Sequence, residues 1–206
     1  MDQELKEILE RVRGLSNQVS LRSLSVDELC MRLGVNKAAL YKYAKTKSDL
    51  VENLLRYERE NFQSIFVEND FGDTNAIDIL FVVSREVCKR FTMVSPSITF
   101  DLKKYYPAIY RNHVDERSQY IFDKIKINLE KGIRQGMYRS DLSIELVARL
   151  YISRLLDLHN PEYFPAEKFS FAMLFEVMFE NFVRAVATPD GLTYFELKKQ
   201  QIDFEL

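Results

Sequence analysis

The sequence predicts an all-α protein: a group of short N-terminal helices followed by a larger helical body. Three observations carry this reading. The 206 residues include only 6 Gly and 5 Pro, too few for the frequent tight turns of an all-β sandwich. Apolar residues recur at three- and four-residue intervals through most of the chain. Capping and turn residues fall between those runs. Hydrophobic residues make up 47% and charged residues 29%, an ordinary soluble globular balance that argues against disorder.

The first helix is expected from about Asp2 to Val19, with Leu5, Ile8, Leu9, Val12 and Leu15 on one face. "SVDE" at Ser25–Glu28 has the pattern of a capping box and opens a short helix that Gly34 ends, because glycine accepts the positive φ needed there. Asn36 caps the next helix, from Lys37 to about Ala44. Thr46 or Ser48 then opens a long helix that stops at the turn signal "NDFGDTN". Beyond it the body reads as helices over "AIDILFVVSREVCKRFTMV", "SITFDLKKYY" and a long segment from Ala108 to Gly136. Two more follow, "SIELVARLYISRLLDL" capped by Ser143 and "AEKFSFAMLFEVMFENFVRAVAT", with "NPEYFP" as the loop between them. The tail is frayed, or packs as a short helix through Leu192, Phe195 and Ile202.

Charge is distributed unevenly. Residues 1–48 carry nine basic and six acidic side chains, whereas the whole chain has a formal net charge of −2. From Cys30 through Ser48 there are Arg32, Lys37, Lys42, Lys45 and Lys47 and no acid. Two short helices joined by a tight Gly-containing turn have the dimensions of a helix-turn-helix, whose second helix enters the DNA major groove. A carboxylate on such a helix would meet duplex phosphates repulsively, which gives the acid-free stretch a reason. The competing reading is a solvated hairpin whose lysines serve solubility.

Other classes find little support. No apolar run approaches the roughly 18 residues that span a bilayer, and "MDQELKEILERVR" is not a secretory signal, so a cytoplasmic protein is expected. Cys30 and Cys88 are expected as reduced thiols. With His113 and His159 isolated, neither a metal cluster nor a catalytic pair is expected, and both histidines read as surface or capping residues. No catalytic residue, cofactor or membrane partner is assigned.

"SVDELCMRLGVNKAALYKYAKTKSDLV" resembles the DNA-binding segment of TetR-family bacterial transcriptional regulators, strongly over residues 8–54. "GIRQGMYRSDLSIELVARL" and "LFEVMFENFVRAVAT" look like regulators of this family from the Bacteroidetes. The resemblance implies a three-helix helix-turn-helix domain over 1–48, continuing into a linking helix at 48–67, and a helical effector-binding and dimerisation domain over 68–206. Carried over by position, Ser25 and Tyr43 would touch phosphate, as would Lys47 at a helix N-terminus. Lys37, Ala38, Tyr41 and Lys42 would face the major groove. The sequence departs from the family pattern at Ser16, Ser20 and Ala44. A lost aromatic there weakens packing by about 2–4 kcal/mol unless something compensates.

The resemblance further implies a pocket for a small hydrophobic or aromatic effector. Phe81, Phe100, Tyr105, Tyr106, Tyr120 and Tyr151 are its candidate lining, with plain core packing as the competing reading for each ring. The helix around Phe171–Val186 is apolar nearly all round, so it should be covered on two sides. Leu146, Leu150, Phe171, Phe175, Met178 and Phe182 are accordingly expected at a two-fold homodimer interface. The function expected is a repressor that binds a palindromic double-stranded operator and is released by an effector. Its alternatives are a regulator-like helical module that has lost DNA binding, and an all-helical enzyme or lipid-handling protein.

Overall fold

Helix α1 (Gln3–Ser16) begins the chain and buries Leu5, Ile8, Leu9 and Val12, the stripe its spacing set apart, although it stops short of Val19. The structure is a computed structural model describing residues 1–16, 18–91, 96–158, 160, 162–165 and 167–201, the side chains of 96–98 excepted. Ten α-helices occur among the described residues: α1, α2 (Val26–Leu33), α3 (Lys37–Tyr43), α4 (Lys47–Glu68), α5 (Ala76–Phe91), α6 (Pro96–Tyr105), α7 (Pro107–Arg134), α8 (Ile144–Asp157), α9 (Phe171–Val186) and α10 (Pro189–Gln201). They form two compact units, Met1–Ser64 with Met93–Arg117, and Ile65–Thr92 with Ser118–Leu206. The first unit thus takes in, besides residues 1–48, α4 as far as Ser64, α6 and the start of α7.

Local chemistry sets the helix ends of the first unit. The Glu28 amide donates to the Ser25 hydroxyl at 3.2 Å and the Ser25 amide to Glu28 Oε2 at 2.6 Å, closing the capping box that starts α2. Gly34 ends α2 at φ 64°, and the Arg11 guanidinium donates to the Leu33 carbonyl at 3.0 Å. The Asn36 side chain accepts from the Ala39 amide at 2.7 Å to start α3. Thr46 is the cap of α4: its hydroxyl accepts from the Asp49 amide at 3.1 Å, and Asp49 accepts from the Thr46 amide at 2.9 Å. Leu9, Val12, Leu29, Leu33, Leu40 and Leu54 form the core with Tyr57, so an aromatic ring reaches it from α4. Ser16 is buried, but its hydroxyl donates to the Arg13 carbonyl at 2.8 Å, and Ala44 is buried at the end of α3. A second cluster joins Val51 and Leu55 of α4 to Leu102 of α6, edged by Tyr106, Ile109 and Tyr110.

The second unit is built on three rings: Phe81 of α5 stacks on Phe195 of α10 at 5.3 Å and meets Phe179 of α9 edge-on at 5.4 Å. The tail is therefore a 13-residue helix anchored by Phe195, while Ile202 lies outside the described residues. Two helix starts differ from expectation. Ser143 stands before α8 but makes no side-chain capping bond, and α9 begins only at Phe171, where Ser170 accepts from the Met173 amide at 3.2 Å. Residues ahead of Ser170 carry helix-like apolar spacing without a cap, so the cap decides the boundary.

After α7 the chain reverses at Gly136, at φ 72°, and Tyr138 turns back under the helix. Its hydroxyl donates to Asn128 Oδ1 at 3.1 Å, and the Asn128 amide donates to the Ala76 carbonyl at 2.8 Å. Tyr138 lies so close that a Cβ on Gly132 would stand 2.0 Å from its ring. Gly132→Ala is expected to destabilise the protein by about 2–4 kcal/mol, combining overpacking with loss of a buried hydrogen bond. Urea denaturation measures it, and a loss below about 0.5 kcal/mol, within the range of ordinary surface substitutions, would mean the ring is not held there.

Candidate nucleic-acid interface

The outward face of α3 follows from which residue it buries. Leu40 alone is fully buried on this short helix, which turns Lys37, Ala38, Tyr41 and Lys42 outward. Ser25 is exposed at the start of α2, and Tyr43 is half-buried at the end of α3. The proposed base- and phosphate-facing side chains therefore share one module.

The folded module brings acids to this face that the local sequence lacks. Lys42 Nζ lies 2.8 Å from Glu4 Oε2, and the Tyr43 hydroxyl lies 2.7 Å from the same oxygen and 2.8 Å from Asp2 Oδ2. Lys37 Nζ is 2.8 Å from Asp27 Oδ1. The Tyr43 hydroxyl above all holds the Asp2 carboxyl below its usual range, Lys42 does the same for Glu4, and Lys42 and Lys37 are raised in return. All these groups are exposed, and surface pairs of this kind exchange readily. A phosphate can take the place of either carboxylate.

Lys47 opens α4, at the helix N-terminus expected for it, and its side chain already has partners. Its Nζ donates to the Arg22 carbonyl at 3.0 Å and to the Leu24 carbonyl, tying α4 to the loop ahead of α2. Two of its three donors are thus already engaged in holding the backbone that carries Ser25.

The rings nominated for a pocket divide between the units. Phe100 is 61% exposed with Lys104 over its ring, so it encloses nothing within its unit. Tyr105 lies under the Arg22 guanidinium at 4.2 Å, and Tyr106 packs on the Val51 cluster. In the other unit, Phe81 is consumed by its ring triad, Tyr120 meets Phe66 edge-on at 5.9 Å, and Tyr151 meets Phe182 at 4.9 Å. Of the residues nominated for a subunit interface, Phe175, Met178 and Phe182 are buried inside the single chain, because that face of α9 packs on its own unit. Phe171 is half-buried, while Leu146 and Leu150 are each 61% exposed. The outer face of α9 instead shows Met173 and Val177, 49% and 56% exposed.

His113, expected at the surface, is buried, with Nδ1 3.2 Å from Arg59 Nη1. Burial first, then the charges of Arg117 and Arg59, push it down to about 3. His159 lies outside the described residues. The folded protein keeps the His113 ring neutral where the unfolded chain takes up a proton near 6.5, so its contribution is full above 6.5 and is lost as pH falls toward 3. The slope reaches about 1.4 kcal/mol per pH unit. His113→Gln is expected to remove this slope, so that its stability gap to the wild type narrows between pH 7 and pH 5. Urea titrations at each pH measure the gap, and a constant one would contradict the assignment.

A capped three-helix head with an outward basic helix, joined to a helical body, defines a helix-turn-helix protein. Residues 8–54 match the model of bacterial regulatory proteins, tetR family. Solved structures agree in fold. The reduced form of E. coli NemR has a TM-score of 0.69 at 17% identity, covering 91% of this chain and 100% of that one. A TetR-family transcriptional regulator from Agrobacterium tumefaciens gives 0.67 at 18% identity, covering 90% and 98%. CprB from S. coelicolor A3(2) gives 0.67 at 14% identity, covering 96% of each chain. No curated relative matches the sequence significantly.

Proposed function

We propose that this protein is a cytoplasmic, homodimeric, sequence-specific DNA-binding regulator, a repressor whose helical body binds a small apolar or aromatic effector. It acts by binding and not by catalysis. The observation that carries this reading is the α3 face, where Lys37, Ala38, Tyr41 and Lys42 stand outward on a helix fixed by Asn36 and Leu40. Lysine and tyrosine donate to phosphates and fix register, while base choice falls to the residues at the start of α3. Two copies related by a two-fold axis would place their α3 helices near 34–36 Å apart, one turn of duplex. An effector that binds better to a differently spaced dimer lowers DNA affinity reciprocally.

The division at residues 1–48, 48–67 and 68–206 is our functional reading: head, linking helix, and body. No described helix is long and apolar enough to cross a membrane. The pairing of Lys37 with Asp27 and of Lys42 with Glu4 favours one competing reading, a regulator-like module whose DNA face is neutralised by its own acids. Selection of bound sequences from random duplex DNA, repeated across salt concentrations, separates the two. Enrichment of a palindrome with affinity falling steeply in salt supports the regulator. No enriched sequence, with retention independent of salt, leaves the module.

A further inference from the structure

We propose that the N-terminal unit contains a carboxylate-binding site centred on the Arg117 guanidinium, lined by Tyr110 and His113 of α7 and by Glu58 of α4. Its role as the effector's anchor rests on the regulator reading above; its existence does not.

Tyr110, His113 and Arg117 are spaced by three and four residues, so they share one face of α7. From α4, Arg59 reaches His113 at 3.2 Å, which sets these two helices side by side within the unit. The charges in this cluster do not balance. Arg13 Nε pairs with Glu58 Oε1 at 3.1 Å, and Arg59 Nε pairs with Glu116 Oε2 at 2.8 Å. His113 is neutral. Arg117 is only partly exposed and closes no hydrogen bond or ion pair with any described residue, although Glu58 and Tyr110 lie close enough to stabilise its charge.

A guanidinium cannot relieve this by giving up its proton near neutral pH. Burial works against its charge, yet the charge stays, one cation beyond the two ion pairs named above. The orphan is matched by another: Glu58 Oε2 is buried with no hydrogen-bond partner. Unpaired buried polar atoms in a folded protein call for a missing partner. A ligand carboxylate answers the guanidinium in its two-pronged geometry, and a hydroxyl on the same ligand would answer Glu58. The surroundings suit an apolar or aromatic body for that ligand, because Tyr110 edges the cluster of Val51, Leu55 and Leu102. The site also touches the head directly. Arg13 belongs to α1, so an anion at Arg117 alters the field on the Glu58–Arg13 pair that ties α1 to α4.

The probe is benzoate, with benzamide as its uncharged counterpart, titrated calorimetrically into the full-length protein without DNA at constant ionic strength. Saturable benzoate binding, one per chain and at least tenfold tighter than benzamide, is expected. Arg117→Gln should abolish the preference, and Arg117→Lys should weaken benzoate binding by several-fold while keeping the charge. Circular dichroism checks that each variant is folded. If Arg117→Gln does not fold, Arg117→Lys decides, and unweakened binding there overturns the proposal. Absence of saturable binding to the wild type, or an equal preference in folded Arg117→Gln, overturns it too. Adding operator DNA afterwards tests the role alone: binding that leaves operator retention unchanged keeps the site and removes its link to regulation.

Discussion

Changing Lys37 and Lys42 to alanine and Tyr43 to phenylalanine is expected to weaken operator binding by roughly a hundred- to a thousandfold near 0.15 M salt. The estimate follows from counting phosphates. Each subunit loses two cations, so a dimer loses four, and the dependence of log affinity on log salt should flatten by about 3–4 units. Fluorescence anisotropy with the selected duplex, from about 50 to 300 mM salt, measures both quantities. Lys37 and Lys42 are exposed, and phenylalanine keeps the Tyr43 ring against the core, so urea stability should hold within about 0.5 kcal/mol. An unchanged salt slope would remove these residues from the interface.

The same experiment should leave Lys47 alone. Its ammonium holds the Arg22 and Leu24 carbonyls, so Lys47→Ala would loosen the loop ahead of Ser25 and weaken DNA binding indirectly. Loss of affinity in that variant cannot be assigned to a phosphate. The acids opposite give the complementary test: Asp2→Asn with Glu4→Gln frees Lys42 and Tyr43 from competing carboxylates, and affinity should rise several-fold. Opposite signs on the two sides of one contact are hard to obtain from nonspecific damage.

Features encoded within four residues were legible in the sequence. Ser25 with Glu28, Gly34 after Leu33, and Asn36 before Lys37 set the ends of α2 and α3 through backbone chemistry that each residue carries with it. Features that join distant residues were not. The stretch from Cys30 to Ser48 holds no acid, yet Asp2, Glu4 and Asp27 reach its cations because α1 and α2 pack beside α3. Charge counted along the chain does not register charge brought in by the fold. His113 looked solitary for the same reason, since its neighbour Arg59 is 54 positions away. Ser143 and Ser170 show a subtler limit: both are serines before an apolar run, but only Ser170 points its hydroxyl at the helix.

The helix α9 was ambiguous in another way, and that ambiguity sets the largest expected change in assembly. Its sequence is apolar on nearly every side, so periodicity does not say which face meets the body and which meets a partner. The fold assigns Phe175, Phe179, Phe182 and Val186 to its own unit and leaves Met173 and Val177 outward, with Leu146 and Leu150 exposed on the adjoining α8. Leu150→Arg with Val177→Arg is therefore expected to turn the proposed dimer into a folded monomer. An arginine desolvated without a partner costs several kcal/mol, and two-fold symmetry enters each substitution twice. Light scattering should read half the mass with the helical signal intact, and operator affinity should fall at least a hundredfold because one subunit holds one half-site. A variant that remains dimeric would move the interface elsewhere. Phe182→Ala provides the contrast: buried within the subunit, it should lower stability by about 3–5 kcal/mol before it alters assembly. Loss of mass without loss of fold in one case, and loss of fold first in the other, distinguishes a face that awaits a second copy from a face already covered.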